Sequence, residues 1–263
     1  MATLVSFHAH PDDESIACGG VLRKASEEGH RVVLVLATCG EQGEVEEGFL
    51  AEGESLAERR VAETQAAAAI LGAARLEFLG YVDSGMMGTP ANDAPGSFWS
   101  APVDDAARKL AAILEQEQAD ALTCYDDYGG YGHPDHIQVH RVGTRAARLV
   151  GTPRVYQCTM NRDQLRRGRD LAEQAAAAGI EIPDVAEQEE FGKPEREITA
   201  AVDVSPYLEH KRQAMRAHAS QISEHSFFVG LPDEAFGYAF GTEWFIRDGQ
   251  GPGITETDLM AGL

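Results

Sequence analysis

Leu4 to Gly20 reads LVSFHAHPDDESIACGG. Leu4, Val5 and Phe7 form an apolar run with β character, which predicts a buried strand. The run ends in His10-Pro11-Asp12-Asp13-Glu14. Pro11 keeps His10 extended and blocks an early helix. Asp13, Glu14 and Ser15 are helix-starting residues, and Ile16 and Ala17 lead into the helix. One imidazole and two adjacent carboxylates therefore stand at the carboxyl end of a strand, the edge where open α/β sheets bind ligands. The same residues admit a purely structural reading, with Asp12 or Asp13 as a helix N-cap and His10 packed at the sheet edge.

A second stretch weighs against two independent caps. Tyr131-Gly132-His133-Pro134-Asp135-His136 repeats the His-Pro-Asp tripeptide. It too follows an apolar run, Ala121-Leu122-Thr123-Cys124.

Between and beyond these stretches the chain alternates strand and helix. Arg31 to Ala37 is a near-continuous apolar run, as expected of a parallel strand covered on both faces. Gly40 to Gly53 is rich in Gly and Glu and predicts an exposed loop. Ser55 to Leu71 predicts a helix opened by a Ser55–Glu58 capping box and closed by Gly72, with Arg59, Arg60 and Glu63 on its polar side. Leu76, Phe78 and Leu79 predict a third strand, and Tyr81 to Pro95 a long loop of the kind that often carries function. Asp104 to Gln118 predicts an amphipathic helix, Ala121 to Tyr125 a fourth strand, Pro134 to Val150 a helix and Arg154 to Met160 a fifth strand. This repeat predicts an α/β fold, a Rossmann-like, mostly parallel sheet with helices on both faces. Residues 1–160 read as the catalytic core. Residues 161–263 read as a C-terminal segment that completes the fold and caps the site. Within it, Asp163 to Ala178 reads as helix, Ile180 to Pro194 as an acidic loop, Ile198 to Val204 as strand, Pro206 to Ala219 as helix and Phe236 to Phe245 as an aromatic strand.

The 263 residues carry 43 acidic and 22 basic side chains, a formal charge of −21. That field repels phosphate backbones and anionic lipid heads, so nucleic acid and membrane surfaces are poor partners. A neutral or cationic small molecule suits it better, and a homo-oligomer is compatible with it. None of the four cysteines has CxxC spacing, and Cys39, Cys124 and Cys158 read as small core residues. The chain enters a strand with no basic region before it, and no run approaches the ~20 apolar residues of a membrane span. The expected setting is a reducing cytoplasm.

Catalytic zinc takes about three protein ligands and keeps a position open for water. His10, Asp13 and His136 can supply the three, and Fe(II) can share such a set. Asp12 and His133 are then left without a metal duty. A carboxylate beside an activated water is a natural general base, and an imidazole can stabilise an oxyanion and protonate a leaving amine. Asp135 is placed to orient that imidazole. Zinc lowers the pKa of water to about 7. These are the groups of metal-assisted amide hydrolysis.

HAHPDDE at 8–14 together with GYGHPDH at 130–136 resembles the LmbE/PIG-L family of zinc-dependent N-acetylglucosamine deacetylases. The similarity runs through most of residues 1–150 and returns in AHASQI (217–222) and ETDLMAGL (256–263). The resemblance implies zinc on His10, Asp13 and His136, Asp12 as base, and His133 as oxyanion stabiliser and acid. It implies Tyr131 as a mobile helper over the carbonyl. It also implies that Arg60 (in RVAE) and Asp83 (in DSGMMG) hold sugar hydroxyls. The version nearest in pattern is the deacetylase of mycothiol biosynthesis, which acts on N-acetylglucosaminyl-inositol. GYGHPDH, Met86 after DSG, and Ala17 favour it over the amidase that cleaves mycothiol S-conjugates. Asn161 to Glu195 departs from both versions and leaves the group attached to the sugar open, a natural-product sugar deacetylase included. Outside the hydrolases stand a receiver-like module, which would need Mg²⁺ and oxygen ligands, and a catalytically silent sugar-binding protein. His8 reads as a neighbour of the site or as a packed core residue, His140 as a ligand neighbour or helix surface, and His218 as a candidate near the site. His30, His210 and His225 read as surface residues.

Overall fold

The structure, a computed structural model, describes residues 1–168 and 191–263. Five strands in parallel register form the first part of the sheet: β1 (Thr3–His8), β2 (Arg31–Leu36), β3 (Arg75–Phe78), β4 (Ala121–Tyr125) and β5 (Arg154–Thr159). Two further strands extend the sheet, β7 (Thr242–Arg247) antiparallel to β5 and β6 (Ala200–Asp203) antiparallel to β7, giving the order β3-β2-β1-β4-β5-β7-β6. This is the expected α/β architecture. Every residue of β1 and β4 is buried, as befits central strands covered on both faces. The strand order turns back between β1 and β4. Their carboxyl ends therefore flank the topological switch point, where such sheets open a crevice.

The helices are α1 (Asp13–Glu27), α2 (Leu56–Leu71), α3 (Val103–Gln116), α4 (Pro134–Val150), α5 (Arg162–Arg167), α6 (Leu208–Ala217), α7 (Phe227–Gly230) and α8 (Asp233–Phe240). Local chemistry explains their ends. Ser55 and Glu58 form the predicted reciprocal capping box, and Gly72 closes α2 in the left-handed region at φ 78°. Pro134 occupies the first turn of α4, where its missing N–H costs nothing.

Three expectations are corrected. Phe236 to Phe245 is not one strand: Asp233–Phe240 is helical and only Thr242–Arg247 is extended. Phe236 and Phe240 lie one turn apart with ring centroids 4.9 Å from each other, and that helical spacing outweighs β propensity. Arg60 and Glu63 are buried, not solvated on a polar face. Glu63 accepts hydrogen bonds from the backbone N–H and hydroxyl of Ser220, and so ties α2 to the turn after α6. Cys39 is only half-buried, whereas Cys124 and Cys158 are core residues. Of the predicted Asp163–Ala178 helix, Arg162–Arg167 is helical, and the remainder from 169, like 180–190 of the predicted acidic loop, lies outside the described residues. Among the described residues no helix is long and apolar enough to cross a membrane.

Candidate active site

Both His-Pro-Asp turns open at the switch point. The first follows β1. Here Asp12 occupies the N-cap position of α1, but its side chain makes no capping hydrogen bond, which disposes of the structural reading for that residue. Its backbone is in the left-handed region at φ 94°, ψ −34°. Its carboxylate lies 3.2 Å from the guanidinium of Arg60. The Asp13 carboxylate turns back instead, accepting the backbone N–H of His10 at 2.9 Å.

The second turn follows β4 and brings His133, Asp135 and His136 to the same place. The same Asp13 oxygen lies 3.5 Å from Nδ1 of His10 and 3.3 Å from Nε2 of His136. Donors held tetrahedrally about 2.1 Å from a zinc ion stand about 3.4 Å from one another, so both spacings fit such an ion. The far nitrogen of each ring is also engaged. His10 Nε2 donates to Asp135 at 3.1 Å and also lies 3.4 Å from Asp83, while His136 Nδ1 donates to the carbonyl of Gly129 at 3.2 Å. A donating far nitrogen leaves the lone pair of the near one facing Asp13, the arrangement that metal-ligating histidines use. His10, His133 and His136 also bring ring nitrogens within 4.8 Å of one another, as do His10, Asp83 and Asp135 with their ligand atoms.

Electrostatics agree with a cation site. Burial disfavours the charged form of His10, yet hydrogen bonds to Asp13, Asp135 and Asp83 outweigh it and raise its pKa well above the usual value. Burial likewise opposes ionisation of Asp13, but the two imidazoles hold it well below the carboxylate range. Asp83 is held low in the same way, against burial, by His10 and by the N–H groups of Gly85 and Gln42. Asp12 is different. Burial pushes its pKa up to about 6, Arg60 opposes the rise and Asp13 adds to it. His133 goes the other way: burial first, then the charge on His10 and His136, lowers it to about 4. One carboxylate poised near neutrality and one imidazole kept neutral are what acid–base work requires.

One expected role changes. The Asp135 carboxylate does not hold the His133 ring. It accepts the N–H of Ser84 at 2.9 Å and the Ser84 hydroxyl, and it orients His10. The link to His133 runs through the backbone: the Asp135 N–H donates to His133 Nδ1 at 3.2 Å. A carboxylate at the second position of a helix faces a different neighbour from its own N-cap side chain, which the tripeptide alone does not reveal. Arg60, expected at sugar hydroxyls, directs its guanidinium to the carbonyls of Gly40 (2.7 Å) and Pro11 and to Asp12. Asp83 lies beside His10. Tyr131 and Met86 are both exposed, with the Tyr131 hydroxyl 3.5 Å from His136 Nε2.

Other histidines resolve by contact. His8 is fully buried; its ring nitrogens lie 2.7 Å from Ser6 Oγ and 2.8 Å from the Tyr125 hydroxyl. The Tyr125 ring in turn stacks on His136 at 4.7 Å, so His8 is both packed and a neighbour of the site. His140 Nδ1 lies 3.0 Å from the Tyr125 carbonyl. His218 is buried against Glu14. Sequence reasoning missed Ser84 and Gly129. Ser84 sits in the DSG stretch next to Asp83. Gly129 has φ 65°, and a Cβ there would lie 2.4 Å from that of His136.

Comparison with known proteins decides the family. The profile described as PIG-L, GlcNAc-PI de-N-acetylase, matches residues 5–147. The chain belongs to the PIG-L family. It is 39% identical to a 1D-myo-inositol 2-acetamido-2-deoxy-alpha-D-glucopyranoside deacetylase of Catenulispora acidiphila, over 99% of this chain and 89% of that one. It is 40% identical to the protein of the same name from Streptomyces griseus, over 99% of this chain and 88% of that one. In solved structures the PIG-L fold recurs in the N,N'-diacetylchitobiose deacetylase of Pyrococcus horikoshii, at a TM-score of 0.62 and 20% identity over 93% of this chain and 83% of that one.

Proposed function

We propose that this PIG-L protein is a metal-dependent N-deacetylase that hydrolyses the 2-acetamide of N-acetylglucosaminyl-inositol to acetate and the free amine. Full-length relatives carry that activity in their names. The observation that carries the reading is the Asp13 carboxylate standing between the imidazoles of His10 and His136, with Asp12 at a pKa of about 6 next to it in the chain.

His10, Asp13 and His136 would hold the cation, zinc by preference, with Fe(II) accepted by the same donors. When bound, the ion polarises water and the acyl oxygen. Asp12 removes a proton from the attacking water as the C–O bond forms at the acyl carbon. His133 accepts a hydrogen bond on Nδ1, so its neutral ring carries the proton on Nε2, and that N–H donates a hydrogen bond to the developing oxyanion without giving up its proton. When the C–N bond breaks, the proton held on Asp12 passes to the leaving nitrogen. Asp83 and the Tyr131 hydroxyl stand beside His10 and His136, and Tyr131 would act as a helper over the acyl group, with Met86 on the substrate side.

Amine release from a small panel tests this. N-acetylglucosaminyl-inositol is turned over faster than free N-acetylglucosamine, and both faster than a mycothiol S-conjugate. Faster cleavage of the conjugate would make the protein an amidase. Inactivity on every glucosamine would refute the substrate class.

A further inference from the structure

Asp12 is one of two non-glycine residues among those described that have a positive φ, the other being Gln118. An L residue resists that conformation, and it persists only where its surroundings impose it. Both peptide groups around Asp12 are pinned. The Pro11 carbonyl accepts from Arg60, and the Asp12 carbonyl accepts from the N–H groups of Ser15 and Ile16. The Asp12 N–H donates to Glu14 Oε2 at 3.1 Å.

Glu14 is wholly buried. Its other oxygen accepts the Ser15 hydroxyl at 2.7 Å and His218 Nε2–H at 2.6 Å. His218 comes from the end of α6, 204 residues further along, and is also wholly buried. A buried ion pair is a poor device for stability alone, because apolar groups of equal volume fill the space without desolvating two charges. This pair instead ends on the peptide N–H of the strained residue.

We propose that Glu14 and His218 form a positioning pair that holds Asp12 in its left-handed backbone conformation. The pair thereby keeps the Asp12 carboxylate off the helix N-terminus and in the site. The inference rests on the reading of Asp12 as general base. Neither Glu14 nor His218 touches substrate; they act through Asp12.

The test is a double-mutant cycle with His218→Gln, and with Glu14→Gln as a second variant should the first fail to fold. In the parent background, kcat falls on the order of 10–100-fold, as a misplaced reacting group requires, while KM and metal content stay within about twofold. In the Asp12→Asn background the same substitution lowers the residual rate by less than about twofold, since its target is already gone. A crystal structure of the variant shows Asp12 relaxed to negative φ. Equal losses in both backgrounds, an unchanged kcat, or a loss confined to KM would overturn the proposal. So would a negative φ at Asp12 in a crystal structure of the unaltered protein. Should Asp12→Asn alone keep full turnover, the base assignment fails, and the φ of the His218 variant still decides the positioning claim.

Discussion

Asp13 Oδ2 and His136 Nε2 lie 3.3 Å apart although they enter from different strands of the sheet, Asp13 through the turn after β1 and His136 through the first turn of α4 after β4. With His10 Nδ1 at 3.5 Å from the same oxygen, the three residues make a donor set of two imidazoles and one carboxylate. The protein purified without added metal therefore contains one divalent ion per chain by elemental analysis, and a strong chelator abolishes turnover. His136→Ala lowers metal content to a small fraction of one. Full turnover after chelation would refute the ligand set.

Asp12 has no place in that set. Asp12→Asn retains metal and fold and loses turnover by about 10²–10⁴-fold, the usual contribution of a general base. Elemental analysis and single-turnover kinetics on the same sample separate the two roles. Loss of metal in this variant would mean that base and ligand are exchanged.

What could be read from the residues was whatever depends on local spacing. The apolar runs of β1, β2 and β4, the Ser55–Glu58 box and the paired His-Pro-Asp turns each carry their signal within a few positions, and the topology then brings the two turns together. Burial of Arg60 and Glu63 could not be read that way. Both satisfy partners far off in the chain, Pro11 and Ser220, which no periodicity encodes. The same holds for Asp135, whose carboxylate meets His10 and Ser84 rather than its neighbour in the tripeptide. Phe236 to Phe245 failed for a different reason, since an aromatic run satisfies both the period of a strand and the i, i+4 spacing of a helix.

Gly129 is a position where only glycine fits. Its φ of 65° already disfavours a side chain, and an added Cβ would meet His136 Cβ at 2.4 Å and the backbone N of Ile137 at 2.7 Å. Its carbonyl also accepts from His136 Nδ1. Gly129→Ala costs about 1–2 kcal/mol in urea unfolding from the backbone alone. By displacing the group that orients a ligand, it weakens metal affinity about 10–100-fold, measured by competition with a chelating dye. Unchanged affinity would show that the carbonyl does not orient His136.

Lys211 and Glu243 form a second buried ion pair, with side chains only 1% and 2% exposed. The Glu243 oxygens also accept the N–H groups of Gly20 and Val21. Lys211→Met leaves that carboxylate buried without its counter-charge and costs about 3–5 kcal/mol. Arg108→Ala, which breaks a pair with Asp105 that is 66% and 65% exposed, costs at most about 1 kcal/mol. Parallel urea titrations compare them, and equal losses would refute the distinction.

The raised proton affinity of Asp12 also has a cost in stability. In the metal-free protein the folded carboxyl keeps its proton up to about pH 6, whereas its ordinary value is 3.8. Between those two values the folded state binds more protons than the unfolded one, so this group makes stability fall as pH rises through the window. Burial is the main cause, and Arg60 offsets only part of it. Asp12→Asn keeps a neutral side chain of the same shape at every pH. The metal-free variant therefore melts at the same temperature as the parent below pH 4 and at a higher temperature above pH 6.5, while it is the less active protein once metal is restored. This is the trade-off expected where a site holds a group in an unfavourable state for function. Differential scanning calorimetry of both metal-free proteins across pH 3.5–8 measures it. A melting temperature that is lower for the variant above pH 6.5 would show that the Arg60 contact outweighs burial and that Asp12 is not poised near neutrality.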